Sequence, residues 1–168
     1  MLGTYGFFVA VASAYLAVMD AGILARLFPP LVAAAVSNHI LAQQYRRKME
    51  TAAILGGFLA WVAYMLLIDR VIGYIGKPHF LAYKQLGSLI LIAYVVYAAS
   101  MGAHYILYGR KQDMQIMAVH VFGMLPFAVM IWLATRWSQP ELVAWGVLLS
   151  MSLQFGLKSY LAQQHESN

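Results

Sequence analysis

A chain of 168 residues is the length of one ordinary domain, yet 62% of it is apolar and only 10% is charged, against roughly 45–50% and about 25% in soluble globular domains. So few charges cannot cover a water-facing globule, which excludes a soluble enzyme with an open cleft and predicts an integral membrane protein. The excess of Lys and Arg (11) over Asp and Glu (6) does not point to nucleic acid, because the basic residues stand mainly at the ends of apolar stretches, where a bilayer protein places them.

A bilayer core of about 30 Å asks for about 20 residues of helix. Strands cross it only in a closed barrel, and the apolar runs show no period-2 alternation. The first run, near Leu2–Phe28, has no cation before Arg26 and so lacks the basic start of a cleavable leader. Ala12-Ser13-Ala14 mimics a cleavage site, but the apolar run continues through it, and a retained span is expected. Phe28-Pro29-Pro30 reads as a turn. Leu31–Gln44 starts apolar and then carries Ser37, Asn38, His39, Gln43 and Gln44. It is short for a crossing, and is expected either to span with help from Tyr45-Arg46-Arg47 or to be re-entrant. A basic turn, Tyr45-Arg46-Arg47-Lys48, precedes the run Thr51–Ile75. A turn at Gly76-Lys77-Pro78-His79 leads to Leu81–Tyr108, a basic turn at Gly109-Arg110-Lys111 to Met114–Trp137, and Ser138-Gln139-Pro140 to Leu142–Ala162. The fold expected is all-α: a single transmembrane domain over 1–168, a polytopic bundle of six, alternatively five, membrane-spanning helices with short loops.

Proline turns and basic turns alternate along the chain. The positive-inside rule puts the basic ones in the cytoplasm, in what reads as a bacterial inner membrane. Six spans then place both termini inside; five place the N-terminus outside. A loose repeat accompanies the alternation, since Arg26, Arg70 and Arg136 each close an apolar segment before a proline turn, which suggests three helical hairpins. Small residues let membrane helices approach closely. Ala10, Ala14, Ala17 and Ala21 mark such a face on the first helix, as do Ala98 with Gly102 and Ala99 with Ala103 on a later one.

With no cysteine, disulfides, thiolate metal sites and thiol chemistry are excluded. Walker loops, paired carboxylates, His-Glu-x-x-His and activated nucleophiles are also missing, so an enzyme is not the favoured reading. Polar groups at membrane depth are the functional candidates. His39 lies seven positions before Arg46, His104 six before Arg110, and His120 nine after Lys111, which puts all three about 9–14 Å from the basic end at helical rise. Three imidazoles at one level can hold a b-type haem, a metal ion or a quinone head group, or simply bond neighbouring helices. His79 falls in a turn and His165, with Glu166, in a solvated tail. Asp20 is the acid inside the first span. Arg26, six positions on, points away from it, so its expected partner is Arg70 or Arg136. Asp20, Arg26, Asp69, Arg70 and Arg136 are the substrate- or proton-handling candidates, with Asp69-Arg70 also readable as a structural pair. Asp113 and Glu141 open helices, where an acid complements the dipole.

The function expected is a non-enzymatic transporter, channel or accessory subunit of a membrane complex, in contact with the lipid bilayer and with copies of itself or other membrane subunits. A redox protein holding haem or quinone on His39, His104 and His120 is the alternative.

Overall fold

The computed structural model describes residues 2–164; His165 and Glu166 lie outside them. Every element among the described residues is helical. Helix α1 (Leu2–Met19) passes through one π-helical turn, Asp20–Leu24, into α2 (Ala25–Ser37). Asn38 alone separates α2 from α3 (His39–Tyr74). A 3-10 segment, Pro78–Tyr83, leads into α4 (Lys84–Gly109), followed by α5 (Asp113–Trp137) and α6 (Glu141–Gln164). Five helical units are long and apolar enough to cross a membrane: Gly3–Ser37, His39–Tyr74, Pro78–Gly109, Asp113–Trp137 and Glu141–Gln164.

The count is five rather than six because two expected turns are helical. Pro29 and Pro30 fall inside α2. Each withdraws an N–H from the carbonyl four residues back, a loss that membrane helices accommodate by local adjustment of the backbone. A widened turn lies directly upstream, closed by the Ala25 N–H donating to the Asp20 carbonyl. The segment Tyr45–Lys48 continues α3, since Gln, Arg, Lys, Met and Glu are all good helix formers and neither Gly nor Pro interrupts them. The break comes instead at Asn38, whose backbone is extended (φ −152°, ψ 98°) and whose side-chain oxygen accepts from the Leu41 N–H at 3.0 Å, the service an N-cap residue provides. Leu31–Gln44 is therefore not a separate helix; it is the tip of a long hairpin, with its two arms joined at Asn38. Three equal hairpins are not present either, because Arg26 stands within an unbroken helix.

The turns at Gly76 (φ 67°), Lys111 (φ 57°) and Ser138 (φ 55°) lie where the sequence places them. At the first, glycine adopts the left-handed conformation without steric cost. Ala35 and Val32 pack beside Gly109, and Arg110 Nη1 donates to the Ala162 carbonyl at 3.1 Å. The Asn38 bend, the basic turn and the end of α6 thus share one end of the bundle. Phe7 and Phe8 meet Phe80, so the start of α1 lies at the opposite end with the proline turns.

Helix α4 is the centre. It packs against α1, α2, α3 and α6, while α5 lies outside, held chiefly by α6. Small residues on α4, namely Ala98, Ala99, Gly102 and Ala103, are buried as expected. The stripe Ala10, Ala14, Ala17, Ala21 on the first helix is not. All four are exposed, and the packed side carries Phe8, Ala12, Tyr15 and Met19. The small residues at this contact belong to the neighbours: Gly87 receives Phe8, Gly56 meets Met19 and Tyr15, and Tyr15 donates to the Ala53 carbonyl at 2.8 Å.

Gly57 carries the α3–α4 approach, because a Cβ there would overlap both methyls of Val95. Gly57→Ala is expected to destabilise the protein by about 1–3 kcal/mol, and Val95→Ala in the same chain to recover most of that loss. A double-mutant cycle on thermal unfolding in detergent checks this; additive effects would show that the two residues are not in contact.

Candidate functional site

The described residues divide the sequence-derived candidates into three groups. His104 on α4 and His120 on α5 come together, with ring centroids 6.0 Å apart and planes at 71°. His39 does not join them. It opens α3 at the Asn38 bend, with Nε2 3.3 Å from the Gln43 amide, and lines a cavity of about 570 Å³ with Ser37, Asn38, Gly109 and Lys111. No group of three His, Cys, Asp or Glu among the described residues is placed to hold a metal ion.

Asp20 sits in the π-helical turn, exposed, beside a cavity of about 310 Å³ shared with Ser13, Tyr97 and Met101. It makes no ion pair among the described residues, and the expected pairing with Arg70 or Arg136 is not formed. The reason is axial distance. Asp20 is level with Tyr97, whereas Tyr64 donates to the Lys84 carbonyl at 2.6 Å, which places Arg70 beyond the start of α4, at least about 20 Å away at helical rise. Arg136 lies near the same far end, in the last turn of α5. Asp69 finds its cation in Lys84 at 3.2 Å rather than in Arg70. Arg26, Arg70 and Arg136 are exposed. Asp113 and Glu141 occupy the first turns of α5 and α6 as expected.

Two buried polar features are absent from that sequence-derived set. On α3, Arg46 is 6% exposed, lies against Gly102 of α4, and donates from Nε to Glu50 at 2.6 Å. An (i, i+4) spacing on a helix puts the two side chains side by side. Glycine at 102 lets the guanidinium stem reach the α4 backbone, and Arg46 Nη1 is buried without a hydrogen-bond partner.

The second feature joins the imidazole pair. Lys158 on α6 is 0% exposed, and its Nζ has no hydrogen-bond partner. It lies close enough to His104 and His120 to act on both rings electrostatically. Gln154, one turn back on α6, is buried and hydrogen-bonds the His120 side chain, while His104 Nδ1 is buried without a partner. The supporting shell is local to α5 and α6. Pro126 leaves the Phe122 carbonyl without its usual helical donor, one residue from Gly123. The Ser150 hydroxyl donates to the Gly123 carbonyl, and Gly123 has no room for a Cβ because Gln154 fills that space. The cluster lies about 8 Å inside the basic end, counting from Gly109 at helical rise.

Chemically this is a compact set of nitrogen groups with no carboxylate paired to it among the described residues. It can hold or pass a proton, or bind an anion. Lys158 acts on both imidazoles and Gln154 hydrogen-bonds His120, so the pair is already engaged by α6 side chains that a porphyrin between the rings would have to displace. A further cavity, of about 440 Å³, is apolar and lies between α1 and α3, lined by Ala14, Gly56, Ala60 and Ala63 among others. Comparison of the chain with protein-family models, curated proteins and solved structures finds no match, so a functional reading rests on this geometry.

Proposed function

We propose that the chain is an integral membrane protein of the non-enzymatic transporter or channel type, and that its ion-handling site is the cluster of Lys158, His104, His120 and Gln154 between α4, α5 and α6. The observation that carries the reading is Lys158, wholly buried and without a hydrogen-bond partner among the described residues. A charge at that depth is costly, and lysines within membrane helices mark ion or substrate pathways. The apolar surface supports the membrane assignment. On α5 only Val119, Gly123 and Ala134 are buried, while Met117, Phe122, Leu125, Val129 and Trp132 face outward, the exposure expected of a helix in contact with lipid or with further membrane subunits. The excess of Arg and Lys at the end holding Arg110 and Lys111 supports its placement in the cell interior, in a bacterial cytoplasmic membrane. Asp20, which makes no ion pair among the described residues, lies beside Tyr97 and Met101, the side of α4 that one and two turns on also carries His104, and is assigned to the same conduction path.

The redox alternative has the imidazole pair in its favour and the engagement of that pair by α6 side chains against it; the ion-handling reading accounts for both. Reconstitution of the purified protein into phosphatidylcholine vesicles tests it. An imposed ionic gradient is expected to dissipate well faster than in protein-free vesicles. Equal rates would overturn the proposal.

A further inference from the structure

We infer that the occupant of the α4–α5–α6 cluster is a small monovalent anion, a conclusion that rests on the ion-handling reading above. The argument begins with a count of donors. Lys158 Nζ offers three N–H groups and no acceptor while charged, and none of them is used among the described residues. His104 Nδ1, on the facing helix, is likewise buried and unused. An ammonium could donate to the imidazole lone pair, and a neutral amine could accept from the imidazole N–H. Neither bond is formed, although the side chains are near neighbours, so both groups keep unused hydrogen-bonding capacity. Two unsatisfied nitrogen groups around one buried site, with no acceptor between them, describe a place for an acceptor from outside.

The facing groups set its charge. His104 contributes from α4, His120 from α5, and Gln154 with Lys158 from α6; Lys158 is the cationic side chain among them. No Asp or Glu is paired with it among the described residues. One buried positive charge is balanced by one negative charge, and a dianion would leave a net charge in a low-dielectric interior, at high cost. Packing sets the size. Gln154 already fills the space over Gly123, and the cluster is not part of the open cavities lined by Asp20, by His39 or by the α1–α3 groove. The site therefore suits a halide or an ion of similar bulk. The two arginines nearest in sequence to the basic end do not compete for this role: Arg46 faces Gly102 on the other side of α4, and Arg110 is engaged with the Ala162 carbonyl.

The test uses the full-length protein in phosphatidylcholine vesicles carrying a chloride-quenched dye in one preparation and a pH dye in another. Chloride entry is expected to exceed that of protein-free vesicles by about tenfold or more. Lys158→Gln is expected to remove most of it, since losing one charge-assisted contact of about 1.4 kcal/mol is a tenfold effect, whereas Lys158→Arg, which keeps the charge and the donors, retains part. Sulfate is expected not to enter. Movement of protons without chloride would overturn the anion assignment and leave the ion-handling reading standing; movement of neither would overturn both. Chloride entry that persists unchanged in a folded Lys158→Gln protein would place the anion elsewhere and also overturn the inference. Should that variant fail to fold, the wild-type protein still decides: thermal stability in detergent is expected to rise with sodium chloride and not with sodium sulfate at equal ionic strength, and an equal response to both salts would contradict the site.

Discussion

Lys158→Met is expected to stabilise the protein while abolishing ion flux. A buried ammonium without a partner costs desolvation energy that nothing within the protein returns, and methionine fills nearly the same volume with no charge. Replacement of buried ionic groups by well-packed apolar ones is commonly neutral or stabilising by about 1–4 kcal/mol; for a protein of this size that is a rise of about 2–4 °C in Tm per kcal/mol. Flux is expected to fall at the same time by about tenfold or more. The opposed signs are the signature of a residue kept for function at the expense of stability. A scaffold lysine would lose stability on truncation and leave transport in proportion to the folded protein. Thermal unfolding and vesicle flux, measured on the same preparation, separate the two. Lower stability with unchanged flux per folded molecule would assign Lys158 to packing.

The second large effect belongs to Glu50. Its carboxylate accepts from Arg46 at 2.6 Å, with side chains 19% and 7% exposed respectively. Arg46 already has one nitrogen unsatisfied, so Glu50→Ala leaves an almost fully buried guanidinium with no counter-charge. Breaking one half of such a pair costs about 3–5 kcal/mol. Removing both halves is a smaller disturbance, and Arg46→Met with Glu50→Leu is expected to recover most of the stability. Denaturation monitored for the single and double variants checks the claim. A Glu50→Ala protein within about 0.5 kcal/mol of wild type would place the pair among ordinary surface ion pairs.

These two effects show where the sequence is transparent and where it is not. Turns at Gly76, Lys111 and Ser138 are legible because glycine, proline and polar residues coincide there and interrupt otherwise continuous apolar runs. The turn expected at Pro29-Pro30 fails because the rule behind it comes from helices in water, where a freed carbonyl has solvent to turn to and the chain gains by breaking. Here a widened turn at Asp20–Leu24 precedes the prolines and the helix continues. The segment Tyr45–Lys48 reads as a loop from its charge, yet Arg and Lys favour helix, and Glu50, which reads as a solvated acid, is instead held by Arg46 one turn back. Asn38, the real break, carried its own signal as an N-cap residue two positions before Ile40-Leu41.

The functional cluster was half visible. His104 and His120 stand at one level by simple counting, and the fold brings them together. His39 satisfies the same count but opens its helix at the end of the bundle, because the chain bends at Asn38 and not at Arg46. Lys158 stands near the end of the last apolar run, where a cation reads as one more basic-end residue. Its sequence signal is different from that of the others: it is the only Lys or Arg in α6, several residues from any break, in a segment that otherwise reads as a span. Burial of a lysine depends on which face of α6 meets α4 and α5, and no local pattern states that. Asp20 stands out in sequence as an acid within an apolar run, but its lack of a partner does not, because sequence spacing does not give the axial offset between Asp20 and Arg70 or Arg136.

The arrangement of the whole chain in the bilayer is the premise on which the ion-handling reading stands, and five crossings make a prediction that six do not. Reporters fused separately to the N-terminus and the C-terminus, each active on one side of the membrane only, give the most direct test. The C-terminal fusion is expected to report the cytoplasm, with Arg110 and Lys111, and the N-terminal fusion the opposite side, with the turn at Gly76-Lys77-Pro78. Both termini on the same face would contradict a bundle of five spanning helices, and with it the placement of Lys158 inside the membrane.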